Sequence, residues 1–259
     1  MKKIRRLFWD IETSPDIVFS WRTGFKINID HDNILQERAI ICICYKWEGS
    51  DEVGSIQWDK GDDRELVETF SVIANAADEL IAHNGDKFDI KWFNARNVFH
   101  SLPPLPKYKT VDTLKIARSN FYFNSNRLDY LGKFLLGEGK IKTEFDLWKR
   151  IVRNNDHNAM LDMVRYCKKD VILLERVWKK LAPYHKPQTH MGVVYGNERW
   201  ACPSCGSGNV IKSKTRITPA GLKHHQMHCK ECSRYYQIVD MVFRKYLEAR
   251  YGEYVEQVA

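Results

Sequence analysis

Lys3-Ile4-Arg5-Arg6-Leu7-Phe8-Trp9-Asp10-Ile11-Glu12-Thr13 begins as an apolar run and ends in two acids. Lys3 to Trp9 reads as a first strand. Strand side chains alternate between faces, so Asp10 and Glu12, two apart, share one face of an extended chain. Two distant segments can converge on that face. In Leu80-Ile81-Ala82-His83-Asn84-Gly85-Asp86-Lys87-Phe88-Asp89, an apolar strand ends in a turn and Asp89 falls in the first turn of the next helix. That is the carboxyl end of a strand, where α/β sites form. Asp89 is preferred because Phe88 can anchor the turn in the core, whereas the competing Asp86 also reads as the helix cap. In Tyr166-Cys167-Lys168-Lys169-Asp170, the spacing of four sets a phenol and a carboxylate on one helix face, one turn apart. Each signal alone is weak, since Asp-x-Glu is common and Tyr166 with Asp170 also suits an ordinary amphipathic helix. Together the four acids describe an oxygen-rich cage for hard divalent cations.

Around these segments, Arg38 to Trp47 and Val53 to Trp58 read as further strands. Asp62-Asp63 caps a helical pattern from Arg64 to about Ala77, Leu80 to Ala82 makes a short fourth strand, and Phe88 to Val98 returns to helical spacing. Pro103-Pro104-Leu105-Pro106 breaks the chain before Thr110-Val111-Asp112-Thr113, a fifth strand running into a helix through Arg118. Helical patterns follow at Leu128 to Leu136, Phe145 to Val152 and Ala159 to Leu181. This order predicts an α/β fold, a mixed sheet flanked by helices close in pattern to the ribonuclease H-like architecture, although order alone fits several α/β topologies and the motifs must decide.

The 259 residues suffice for one well-cored domain and a smaller module. Pro183 and Pro187 end the last helix, so the expected boundary divides residues 1–185 from a small module with a C-terminal helix at 186–259. Lys and Arg number 41 against 33 Asp and Glu, giving +8, a balance that suits a polyanionic partner. Asp10 interrupts Leu7-Phe8-Trp9 before a signal-peptide core develops, and no stretch approaches a membrane span. Of seven cysteines, Cys42, Cys44 and Cys167 read as small buried apolar residues, and the usage as a whole fits a reducing cytoplasm.

The other four form two hooks, Cys202-Pro203-Ser204-Cys205 and Cys229-Lys230-Glu231-Cys232, separated by 23 residues. Four thiolates satisfy tetrahedral Zn²⁺, and a short polar segment has little else to fold around, so a structural zinc ribbon is expected. His224, His225 or His228 are alternative ligands. A redox pair is disfavoured because there are two hooks and no βαβ context. Between Arg199 and Ile238 the cations Arg199, Lys212, Lys214, Arg216, Lys223, Lys230 and Arg234 face Glu231 alone, a net +6. With Trp200, Tyr235 and Tyr236 interleaved, the ribbon suits a grip on nucleic acid; the same aromatics also suit a small core, and the module suits docking to a protein.

The acidic segments resemble the three exonuclease motifs of the DEDD, or DnaQ-like, 3′-5′ exonuclease superfamily, and Tyr166 marks the DEDDy branch. Asp10-Ile11-Glu12-Thr13 is similar to motif I, His83-Asn84 through Phe88-Asp89 to motif II, and Tyr166 through Asp170 to motif III, so the resemblance covers roughly the first 180 residues. Val111-Asp112-Thr113 and Leu128-Asp129-Tyr130-Leu131-Gly132 resemble elements between motifs II and III of polymerase proofreading domains. The resemblance implies two Mg²⁺ or Mn²⁺ ions held by Asp10, Glu12, Asp89 and Asp170, with Tyr166 orienting the attacking water. It places Thr13 and Asn84 near the terminal nucleotide and leaves Phe88 as either a core anchor or a stacking platform. The expectation is a free-standing, metal-dependent exonuclease on single-stranded DNA 3′ ends, whose ribbon holds substrate or a replication partner. A 3′-5′ exoribonuclease and a non-catalytic nucleic-acid-binding adaptor are the alternatives, and a phage or mobile-element setting would suit the size and charge.

Overall fold

The structure, a computed structural model, describes residues 4–24, 26–105, 109–187 and 190–252. Residues 5–178 form one compact unit; Ile4 and the chain from Lys179 onward belong to a second. In the first unit β1 (Arg6–Thr13) is followed by a small hairpin of β2 (Ile17–Val18) and β3 (Ile34–Gln36), then β4 (Ile40–Trp47) and β5 (Gly54–Gln57). Next come α1 (Arg64–Asn75), β6 (Glu79–Ala82), α2 (Asp89–Phe99), β7 (Lys109–Asp112) and α3 (Thr113–Asn120). Three helices complete it: α4 (Leu128–Leu136), α5 (Asp146–Asn154) and α6 (His157–Leu181), the last turn of which continues into the second unit.

The five-stranded sheet runs β5-β4-β1-β6-β7, with β1 at its centre. β1 is antiparallel to β4 and parallel to β6, and β6 is parallel to β7, so the sheet is mixed, as expected of a ribonuclease H-like fold. Alternation along β1 divides its labour. Leu7, Trp9 and Ile11 enter a core with Leu66 and Phe70 of α1 and Phe93 of α2, where Trp9 stacks on Phe70 at 4.9 Å between centroids. Asp10 and Glu12 point to the opposite face, with Cys44 and Cys42 of β4 as their cross-strand partners.

β1 extends through Thr13 because pairing with β4 continues past Trp9, so both acids lie within the strand, and a register shift follows at Glu12/Thr13. The β2–β3 hairpin had no periodic signal. Asp63 does not cap α1: its buried carboxylate takes the Arg96 fork at 2.7 and 2.7 Å, His100 Nε2 at 2.6 Å and the Ile40 N–H at 2.8 Å. Those partners hold it below the usual carboxylate range despite burial, while Asp62 accepts from the Arg64 N–H. Gly132 permits the close packing of α4: a Cβ there would meet Glu138 O at 2.5 Å and a Leu173 methyl of α6 at 2.8 Å.

The second unit contains α7 (Met191–Val194), β8 (Val210–Ile217), β9 (Lys223–Cys229), β10 (Tyr235–Val239) and α8 (Asp240–Tyr251). The strands form an antiparallel sheet ordered β10-β9-β8. Val210, Met227, Ile238, Val242, Phe243 and Tyr246 make its small core together with Cys202 and Cys229. Among the described residues, no helix is long and apolar enough to cross a membrane.

Candidate active site

A carboxylate oxygen from each of Asp10, Glu12 and Asp170 lies within 4.8 Å of the others. β1 supplies the first two and α6 the third. Asp89, buried at the start of α2, sits beside the trio: its Oδ1 accepts from the Ile11 N–H at 3.2 Å, between Asp10 and Glu12. Asp86 is instead paired with Lys115 at 2.6 Å and does not cap α2. The turn into α2 is sterically tight. Asn84 takes a left-handed φ of 68°, and a Cβ on Gly85 would meet Ala82 Cβ at 2.5 Å.

This site carries strain of an electrostatic kind. Burial first, then Cys167 and the neighbouring acids, pushes Asp10 and Glu12 well above the carboxylate range, and burial pushes Asp89 up to about 7. Asp170 is also raised, chiefly by burial, even though Lys140 Nζ donates to its Oδ2 at 2.6 Å. The other oxygen, Asp170 Oδ1, is buried without a hydrogen-bond partner among the described residues. An orphaned oxygen, clustered carboxylates and one ammonium already drawn in show that the site favours positive charge. Hard divalent cations with oxygen ligands fit this donor set. Tyr166 lies one helical turn from Asp170, and burial, then that carboxylate's charge, pushes the phenol up, so it stays protonated at neutral pH.

Lys140 was not legible in the sequence: it follows Gly137-Glu138-Gly139 in a loop, and only the fold carries it to α6. Burial opposes its charge, but Asp170 and Asp10 hold it protonated above the usual lysine range. His83 was also missed as a brace. Its ring nitrogens meet Thr113 Oγ1 at 2.9 Å and Asn126 O at 3.0 Å, and burial lowers it to about 4, keeping it neutral. Asp112 caps α3 and accepts from the Asn84 N–H at 2.9 Å, and Trp148 of α5 donates to Thr13 O at 3.2 Å. These contacts fix the backbone of Asn84 and Thr13 at the ends of neighbouring strands. Phe88 corrects the expectation of a core anchor: it is 36% exposed.

In the second unit, Sγ atoms of Cys202, Cys205, Cys229 and Cys232 lie within 4.8 Å of one another. Cys202–Cys232 and Cys205–Cys229 are each 3.6 Å apart, and none is in a disulfide. Thiolates arranged tetrahedrally about Zn²⁺ at 2.3 Å would be about 3.8 Å apart, so the set fits a closed zinc site. Two of the three alternative histidines are engaged elsewhere. His225 bonds Asp240 at 2.8 Å and stacks on Phe243, while His228 stacks on Tyr235. A bulge between Lys212 and Lys214 splits the basic residues of β8: Lys212 pairs with buried Met227 and lies over Phe243, whereas Lys214 and Arg216 pair with Gln226 and His224 on the open face. Tyr236 and Trp200 serve the core, with Tyr236 donating to Trp200 O at 2.6 Å and Trp200 packing on Tyr246.

The family model of the RNase_H superfamily matches residues 28–182, more than half of the chain, and the chain belongs to that superfamily. The match includes Asp89, Tyr166 and Asp170 but begins after β1, so the place of Asp10 and Glu12 rests on the fold. Membership supports a nuclease. Among solved structures, the family B DNA polymerase of the hyperthermophilic archaeon Pyrobaculum calidifontis is similar, with a TM-score of 0.53 and 16% identity. The likeness covers 70% of this chain and 25% of that chain, and it concerns the fold. No curated protein matches the chain.

Proposed function

We propose that this chain is a metal-dependent 3′-5′ exonuclease of the DEDDy branch that hydrolyses phosphodiesters at single-stranded DNA 3′ ends. The carboxylate trio, with Asp89 bonded to the strand between two of its members, is the observation that carries this reading. Asp10, Glu12, Asp89 and Asp170 would hold two Mg²⁺ or Mn²⁺ ions, which supply Lewis acidity to phosphodiester hydrolysis at neutral pH. Tyr166, a phenol donor one helical turn from Asp170, orients the attacking water. Thr13 and Asn84 position the terminal nucleotide, and the exposed Phe88 offers a ring to its base. Lys140 shields the buried carboxylates from one another and lies within reach of the same charge that a phosphate would bring.

We also infer that the residues from about 186 onward act as a structural zinc ribbon held by Cys202, Cys205, Cys229 and Cys232. Its open sheet face, with Lys214, Arg216 and the His228–Tyr235 stack, supports contact with nucleic acid better than docking to a replication protein. The test of the catalytic reading is digestion of 5′-labelled single-stranded DNA, with matched RNA in parallel, in Mg²⁺ or Mn²⁺. A ladder shortening from the 3′ end that vanishes with EDTA and in an Asp10→Ala, Glu12→Ala double variant is expected. Cleavage of RNA alone transfers the activity to exoribonuclease, and an intact label on both makes the chain a non-catalytic adaptor.

A further inference from the structure

Between α3 and α4, Phe121-Tyr122-Phe123 alternates in a way the catalytic reading does not use. Phe121 is extended, with φ −140° and ψ 152°, so adjacent side chains leave on opposite sides. Phe121 and Phe123 turn inward and stack at 4.9 Å; Phe123 meets the edge of Phe134 at 5.7 Å, and Phe134 stacks on Tyr130 at 5.9 Å. Tyr122 turns outward and is fully exposed. A large ring in water is thus mounted on a backbone clamped at both neighbours, which lowers the entropy lost when its face is covered.

Charge and position say what would cover it. Arg118 and Arg127 flank the segment, exposed and without an ion pair among the described residues. The segment is tied to the active-site loop through Asn126 O, which His83 Nε2 meets at 3.0 Å immediately before Asn84. Phe134 beside Phe123 is also largely exposed, so the cluster offers aromatic surface, and the two guanidinium groups that flank Tyr122 in sequence, both without an ion pair among the described residues, favour a base and its phosphates as the occupant. We propose that Tyr122, Arg118 and Arg127 form a subsite for single-stranded nucleic acid, taking a nucleotide on the 5′ side of the reacting end. This subsite rests on the nuclease reading only for its direction; its affinity is independent of cleavage.

The experiment compares full-length parent, Tyr122→Ala and Tyr122→Phe on a trinucleotide and a decanucleotide of thymidine, with binding followed by anisotropy in Ca²⁺ and cleavage in Mg²⁺. Tyr122→Ala is expected to weaken decanucleotide binding about tenfold, and Tyr122→Phe to behave as the parent. The trinucleotide KM and both kcat values stay within about twofold of the parent. Unchanged decanucleotide affinity, or an equal loss on both lengths, overturns the subsite. So does a change of oligomeric mass with oligonucleotide binding intact, which would assign the ring to a second copy of the chain. A parent that binds through Tyr122 but cleaves nothing sinks the exonuclease reading and keeps the subsite; cleavage with decanucleotide KM and affinity both unchanged in Tyr122→Ala does the reverse.

Discussion

Two clusters of four candidate ligand residues, one of oxygen and one of sulfur, sit in units of very different construction. The oxygen cluster is built on the back of a large core: Trp9, Phe70 and Phe93 hold β1 and its helices in place on one face, leaving the other free to collect acids. The sulfur cluster is itself part of the core it serves, since Cys202 and Cys229 are two of that core's eight buried residues. A well-cored unit can therefore tolerate buried like charges for the sake of chemistry, whereas a small one needs its ligands to fold.

The largest expected effect breaks the second unit and spares the first. Cys229→Ser should forfeit binding free energy on the order of 10 kcal/mol, so proteolysis removes the chain beyond about residue 179 while residues 5–178 melt cooperatively as before. Retention of a protease-resistant ribbon would show that its core suffices alone. Asp170→Asn should do the opposite. Hydrolysis should fall on the order of 10³-fold while the melting temperature in EDTA is unchanged or rises, because a buried carboxylate crowded by others has been neutralised.

A smaller effect is expected of Lys140→Met, which leaves Asp170 without its ammonium. Loss of about 1–3 kcal/mol at pH 8 in EDTA should shrink when Mg²⁺ is added, as read from denaturant unfolding. The smallest is a pH effect. Asp10, Glu12 and Asp170 are raised in the folded state and Asp89 reaches about 7, against unfolded values near 4. The folded chain thus binds more protons than the unfolded chain between those values, so metal-free stability falls as pH rises through that window. Mg²⁺ should raise the melting temperature by a few degrees more at pH 8 than at pH 5, and an equal rise at both would place the ion elsewhere.

Much of this contrast was legible along the chain because it is written in local periods. Two-residue spacing placed Asp10 and Glu12 on one face, four-residue spacing did the same for Tyr166 and Asp170, and the CxxC hooks announced their cluster. Asp63 misled because a helix-capping acid and an acid reserved for a distant guanidinium look alike until Arg96 arrives. Phe88 misled because an aromatic beside a buried acid can face either way.

What the sequence by itself determined is the set of candidate ligands, the strand and helix types that carry them and the expectation of an apolar core beside a cysteine-clustered module. Only the tertiary structure decided which long-range partners complete each site. Lys140 reaches Asp170 from a loop, Asp89 grips the strand between two other acids, and a single bulge turns Lys212 away from Lys214 and Arg216. The reason is physical: side-chain direction within an element follows from backbone period, but a buried charge or a bulge is resolved by whatever the rest of the fold brings within bonding distance.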